Sequence, residues 1–509
     1  MSGSGTCRPQ PVVMPLGSTS IASSIELEVT AMTTKELAVQ LHAAPIGMLR
    51  CDRNAKLTFV YDDKARTARN AVTLSLSLPL ARREHGHDAV DAFLWGLLPD
   101  NEHVLSRWAR EFHVSSRNPF SLLAHVGEDC AGAVQIVPPE RVADIEGPGP
   151  VRVHWLTAVE VAERLRALRG DESAWSRADD EGRFSLAGAQ PKMALFHDGM
   201  RWGIPIGRTP TTHILKPPTG ALHGQIENEH FCLRLARALR LPVASSVIAR
   251  FEDETAIVVE RYDRIKLTRE MASALAARAA ADAAALAARA SDPARAATAA
   301  ADAAEAAVRA AGLARLGKTQ PVLRLHQEDM CQALGVRPQS KYQNEGGPSA
   351  ERIADLLRDH SDKPRQDMNG FSDALLFNWL IGGSDAHAKN YSLLHGEGGR
   401  VRLAPLYDLA SALPYPSLNT PRLKLAMKLG GHYRLRDIGA RELRKLAMEL
   451  KHRPDAMIER ARDLCAQLPQ SAEQVRDDCR RAGLAHPILD QLTTALVERV
   501  QRCRSQLDE

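Results

Sequence analysis

The residues with the clearest chemical potential lie in Gly383-Ser384-Asp385-Ala386-His387-Ala388-Lys389-Asn390, where four residues separate an aspartate from an asparagine. Phosphoryl-transfer enzymes place a base and a metal-binding amide at this D-x-x-x-x-N spacing. Such transfer needs an oriented hydroxyl whose proton a carboxylate can accept. It also needs a cation across the phosphate oxygens, for which an amide oxygen is a suitable hard ligand. Eighteen residues after Asn390 the chain offers Leu406-Tyr407-Asp408, a second carboxylate placed to share that cation. A polar turn whose Asp and Asn cap local backbone is the competing explanation of the first motif alone.

Three upstream segments fit the same chemistry. Phe184-Ser185-Leu186-Ala187-Gly188-Ala189-Gln190-Pro191-Lys192 precedes the strand-like Met193-Ala194-Leu195-Phe196. Small residues let backbone N–H groups approach phosphate oxygens. A loop before a strand suits a phosphate cover, whereas a Walker A loop leads into a helix and ends in Gly-Lys-Ser/Thr. A plain β-turn is its alternative. Thr212-His213-Ile214-Leu215-Lys216 is an apolar strand ending in a lysine that can hold α- and β-phosphates, although a lone Lys is more often a solvated charge. Glu227 and Glu229 follow, and either can orient Lys216. Glu260-Arg261-Tyr262-Asp263 ends another strand and can offer adenine a backbone edge and an aromatic face, or be an ordinary strand end.

These segments need rigid elements to hold them. Phe371 to Ile381 reads as an apolar helix feeding the Asp385 loop, and residues 391–409 as a hairpin turning at Gly396-Glu397-Gly398-Gly399. Ile226 to Leu239 reads as a helix, with Phe231, Leu235 and Leu239 four apart. Ile257-Val258-Val259-Glu260 reads as a buried strand. Ala89 to Leu98 reads as a helix stopped at Pro99-Asp100-Asn101, and Leu57 to Tyr61 as a strand. A first strand is expected from Met32, which is also a candidate start of translation.

Composition sets outer limits. With 509 residues, the chain has room for two or three domains. A net charge of +4 gives no global drive toward nucleic acid. Cysteines at 7, 51, 130, 232, 331, 465, 479 and 503 lack zinc-type pairing, and a disulfide framework is not expected at this length. They read as reduced thiols. No apolar run approaches the ~18–20 residues that span a bilayer, and no secretory signal is visible; the expected location is the cytoplasm.

The expected division is a disordered tail at 1–31, an N-terminal subdomain at 32–146 closed by Gly147-Pro148-Gly149-Pro150, a nucleotide-loop and hinge region at 151–265, an insert at 271–313 and a mainly helical lobe at 321–509. The insert is mostly Ala, with scattered Arg, Asp and Glu. Ala favours helix, and Asp292-Pro293 breaks it. It reads as a neutral expansion or, less simply, as a partner-binding helix.

Taken in order, these motifs resemble the HipA family of toxin kinases. The resemblance spans roughly 35–440 without the insert. It rests on Ser185 to Lys192, Thr212 to Lys216, Val259-Glu260-Arg261-Tyr262-Asp263-Arg264, Gln327-Glu328-Asp329-Met330-Cys331-Gln332, Ile381 to Asn390, and Trp95-Gly96-Leu97-Leu98-Pro99-Asp100-Asn101. It implies an α+β, two-lobed protein-kinase-like fold with an added N-terminal subdomain and a mainly helical C-terminal lobe. The implied activity is ATP-dependent serine/threonine phosphorylation with Mg2+. Asp385 would be the base, Asn390 and Asp408 the metal ligands, and Lys216 the phosphate lysine. Ala187, Gly188, Ala189, Gln190 and Lys192 would form the nucleotide loop. Glu260 and Tyr262 would be the hinge, and His387, Lys389 and Tyr407 further nucleotide contacts. Ser185 matches the serine that members autophosphorylate, ejecting the loop, since a phosphate of about −2 charge cannot sit beside those of ATP.

Family targets are commonly aminoacyl-tRNA synthetases, whose phosphorylation halts translation and gives persistence. The implied partner is a small helix-turn-helix antitoxin like HipB, with DNA reached through that complex. A catalytically idle scaffold for the antitoxin is the competing function, and a small-molecule kinase is a third.

Overall fold

The computed structural model describes residues 35–145, 151–176, 180, 182–220, 222–268, 270–271, 274, 277, 281 and 322–508. The expected tail, the Met32 start, the Gly147–Pro150 boundary and nearly all of the 271–313 insert lie outside the described residues.

Strands β1 (Lys35–Leu41), β2 (Ala44–Cys51), β3 (Leu57–Tyr61), β4 (Glu84–His85) and β5 (Val134–Val137) form a sheet of order β4-β3-β2-β1-β5. Alternation decides which face of β3 is buried: Leu57, Phe59 and Tyr61 go inward. Helix α1 (His87–Leu97) presents Phe93, Leu94 and Leu97 to the same core and stops before the Pro99-Asp100-Asn101 turn. There the Asn101 side chain accepts from the N–H groups of His103 and Val104, starting the next helix.

The second sheet holds β6 (Val153–Leu156), β7 (Met193–His197), β8 (Trp202–Pro205), β9 (His213–Lys216), β10 (Ser246–Phe251) and β11 (Glu254–Glu260), in order β10-β11-β9-β7-β8-β6. Lys216 ends β9, a central strand paired with β7 and β11. Helix α2 (Gln225–Ala238) packs Phe231 and Leu235 into the other core, which fills the helical lobe.

Beyond the second sheet, β12 (Arg264–Lys266) pairs antiparallel with β13 (Val322–Arg324), matching Arg264 to Arg324 and Lys266 to Val322. The chain between them carries the insert, which therefore departs from and returns to one ladder. Loop-closure entropy grows only logarithmically with length. Deleting 271–313 is accordingly expected to leave ADP release from Mg-ATP and the melting temperature nearly unchanged. A clear drop in melting temperature would show instead that the insert packs on the lobes.

The helical lobe starts with a three-stranded sheet of β14 (His326–Asp329), β15 (Ser392–Gly396) and β16 (Arg400–Leu403), the last two forming the expected hairpin. Helix α3 (Pro364–Ile381) feeds the Asp385 loop and stops at Gly382, whose φ of 63° suits a residue without Cβ. The reading of one hairpin in an otherwise helical stretch is incomplete. A second, β17 (Lys424–Leu429) with β18 (His432–Arg434), turns at Gly430 and Gly431, both at positive φ. Helices α4 (Ala440–Glu449), α5 (Pro454–Arg481) and α6 (Ile488–Asp508) complete the lobe. All cysteines among the described residues are free and buried, and among those residues no helix is long and apolar enough to cross a membrane.

Candidate active site

Lys216 sits where the two lobes meet. Its Nζ donates to Glu229 Oε1 at 2.8 Å and Oε2 at 3.1 Å, and to Asp408 Oδ1 at 3.0 Å. Of the two candidate glutamates, Glu229 on α2 is therefore the partner. Burial disfavours the ammonium, but Asp408 and Glu229 outweigh it and raise its pKa above the ordinary lysine value. Lys216 in turn holds the Asp408 carboxyl down at about 2, against burial. Asp408 has φ 56°, an uncommon backbone for a residue with a Cβ, and its side chain stays 47% exposed. The carboxylate thus faces solvent while one oxygen is held by Lys216.

The Ser185–Lys192 segment runs as a loop into β7. Lys192 turns inward, donating to the Ala187 carbonyl at 2.7 Å with its Nζ 4.8 Å from the centre of the Trp175 ring. Burial and nearby Lys216 push its pKa down to about 7. Gly188 has φ 106°, and a Cβ there would stand 2.5 Å from Lys192 Nζ. Ala189 is exposed, and the Gln190 Nε2 is buried without a partner among the described residues. Ser185 is fully buried; its Oγ donates to the Leu97 carbonyl at 2.8 Å and its N–H to the Asp129 carbonyl at 2.9 Å.

The Asp385 loop is closed by its own backbone. The Asp385 carbonyl accepts from the His387 N–H at 2.8 Å and from Asn390 Nδ2 at 3.0 Å. With the amide nitrogen so used, the Asn390 oxygen remains for a cation. His387 is buried, its pKa lowered by burial, with Nδ1 unpartnered among the described residues. Tyr407 donates to the Lys389 carbonyl at 2.6 Å, and its ring lies 5.7 Å from that of Tyr262. At the proposed hinge, the Glu260 and Arg261 N–H groups already bond the Ser245 and Thr212 carbonyls, and the Glu260 side chain is exposed.

No three His, Cys, Asp or Glu side chains cluster as a metal cage among the described residues. Asn390 and Asp408 nonetheless fit Mg2+, which takes one or two protein oxygens and completes its shell with phosphate and water.

Three groups escape a reading of local sequence. Asp100, in the turn after α1, pairs with Lys389 and, at 2.9 Å, with Lys341; its N–H donates to the Gly188 carbonyl at 3.1 Å. The N-terminal subdomain thereby holds the Ser185–Lys192 loop and the Asp385 loop together, and places the Lys389 ammonium on a protein carboxylate. Asp129 is buried against Arg264 and Arg324, both at 2.9 Å, and accepts from Thr211 Oγ1 at 2.6 Å. Arg261 is bonded to Asp263 at 2.8 Å nearby. The third is Tyr342, which donates to Asp385 Oδ1 at 2.6 Å.

Comparison with known proteins bears on the fold and the family. The model for HipA-like C-terminal domains matches residues 184–472, and that for HipA N-terminal domains matches 37–137. A kinase-named relative of Sinorhizobium fredii, Y4mE, is 34% identical over 410 residues, 80% of this chain and 84% of that one. The serine/threonine-protein kinase toxin HipA of Shewanella oneidensis is 27% identical over 498 residues, covering 94% and 98%. The solved complex of Shewanella HipA with HipB and operator DNA superposes with a TM-score of 0.71 at 25% identity, covering 93% of this chain and 98% of that one. The C-terminal family model spans Lys216, Asp385, Asn390 and Asp408, and the chain belongs to the HipA family of serine/threonine kinases.

Proposed function

We propose that this chain transfers the γ-phosphate of ATP to a serine or threonine of a translation factor such as an aminoacyl-tRNA synthetase, acting as the toxin of a toxin–antitoxin pair. The observation that carries the reading is Lys216 held between Glu229 and Asp408 at 2.8 and 3.0 Å, in a chain that also offers Asp385 and Asn390 on one loop. In this reading Asp385 takes the proton of the acceptor hydroxyl and Lys216 orients the α- and β-phosphates. Asn390 and Asp408 would hold Mg2+, which supplies positive charge to the phosphate oxygens. The loop Ala187–Lys192 covers the nucleotide, and Tyr262 and Tyr407 offer aromatic surface to the base. The working division is 32–146, 151–265 and 321–509. The partner is a small helix-turn-helix antitoxin, through which DNA is reached, by analogy with the Shewanella HipA–HipB–operator assembly.

Ser185 gives the proposal a regulatory side. Its hydroxyl is buried under Leu97, so the loop must leave its seat before phosphate reaches it. Once doubly charged, the side chain cannot return to that site. Intact mass of dephosphorylated protein before and after Mg-ATP, beside Asp385→Ala, tests this. A gain of one phosphate on wild type alone, mapped to Ser185, is the expected result. No gain would remove the self-silencing step; absence of ADP release as well would turn the assignment toward a scaffold for the antitoxin.

A further inference from the structure

The backbone of the Asp385 loop is held by the two hydrogen bonds onto the Asp385 carbonyl, but its carboxylate is not held by them. Asp385 is exposed, and the side-chain partner seen for its carboxylate among the described residues is the Tyr342 hydroxyl, 2.6 Å from Oδ1. An exposed carboxylate can be satisfied by water, so solvation alone does not require a phenol there. A base must present one oxygen to the acceptor hydroxyl within about 2.6–3.2 Å. Aspartate on a loop rotates freely about its side-chain bonds unless something fixes it.

Tyr342 is itself fixed from three directions. Its ring meets His387 edge-on, with centroids 5.0 Å apart. The carbonyl of its neighbour Lys341 accepts from the Ala388 N–H at 3.4 Å. The Lys341 ammonium is anchored on Asp100 at 2.9 Å. We infer that Tyr342 is the positioning residue for the catalytic carboxylate: it binds Oδ1 and so aims Oδ2 at the acceptor. Its own seat is set by the N-terminal subdomain through Lys341 and Asp100. The inference rests on the reading of Asp385 as base.

The test is a double-mutant cycle of Tyr342→Phe and Asp385→Ala. Turnover is read as ADP released from Mg-ATP, with a synthetic peptide copying residues 183–192 as hydroxyl donor. Phenylalanine keeps the ring against His387, so the melting temperature should not move. A misplacement of about 1 Å can slow an oriented reaction about a hundredfold; loss of the phenol contact, with the loop backbone still held, should lower kcat about tenfold, with KM for ATP within about twofold. In the Asp385→Ala background the same change should have no further effect, because Tyr342 acts through Asp385. Equal effects in both backgrounds would overturn the inference, as would faster turnover in Tyr342→Phe, which would make the phenol an obstruction, or phosphate on Tyr342 itself. Full turnover in Asp385→Ala alone would instead remove the base assignment beneath it.

Discussion

Asp385→Ala is expected to lower phosphoryl transfer by about 10²–10⁴-fold, the usual contribution of a positioned general base, while Mg-ATP still binds. The grounds are geometric. The Asp385 side chain is exposed and bonds Tyr342, so its removal leaves Lys216, Glu229 and Asp408 in place. Kinetics should therefore show a fall in kcat with little change in KM for ATP, and calorimetric titration of Mg-ATP should remain near wild type. Asp408→Ala should behave differently. It strips a proposed metal ligand and one of the two carboxylates that neutralise Lys216, so nucleotide affinity should fall together with kcat. Unchanged turnover in either variant would contradict the mechanism, and identical profiles would mean the two carboxylates do not divide the work as assigned.

Asp129→Ala should have the largest effect on stability. Asp129 is buried beside three guanidiniums, with Arg264 and Arg324 bonded to it at 2.9 Å and Arg261 at 3.5 Å. Asp263, bonded to Arg261 at 2.8 Å and Arg264 at 2.9 Å, would remain for those two, while Arg324 would lose its bond to Asp129. Removing one partner of a buried ion pair typically costs about 3–5 kcal/mol, because the remaining charge stays desolvated. That is a large share of the roughly 5–15 kcal/mol that holds a domain folded. Thermal or urea unfolding should show the loss, and a change below about 1 kcal/mol would mean that water reaches the arginines. Burial pushes the Asp129 carboxyl up, but the arginines prevail and hold it well below the ordinary range. Its contribution is therefore fully present above the unfolded carboxylate value of about 3.9 and is lost as pH falls through the lower folded value. Acid unfolding of the wild type should be steepest below about pH 4, and Asp129→Asn should flatten that limb.

What could be read in advance depended on sequence distance. Asp385 and Asn390 share one loop, Asp408 follows the next hairpin and Lys216 ends an apolar strand, so spacing and periodicity marked all four as candidates. The pairing of Lys216 with Glu229 rather than Glu227 needed the helix phase relative to the sheet, which no local pattern supplies. Asp100 and Asp129 were illegible as charge partners. Lys341 lies 241 residues beyond Asp100, and Arg264 lies 135 beyond Asp129; only the packing of the N-terminal subdomain against the helical lobe and the β12–β13 ladder brings them together. Tyr342 gave no signal either, because a lone Tyr in an irregular segment carries no periodicity. The β17–β18 hairpin was missed because Ala426 breaks the alternation of buried Leu425, Met427 and Leu429.

The ladder that brackets the insert also makes the protein a ready host. Because Lys266 and Val322 are register partners, a guest whose own termini lie close together can be spliced between them without prising the hairpin apart. A compact fluorescent reporter there would follow abundance in living cells while both natural chain ends stay untouched. The same feature allows lineages to lengthen or shorten this stretch freely, since each doubling adds only about 0.6 kcal/mol of closure entropy.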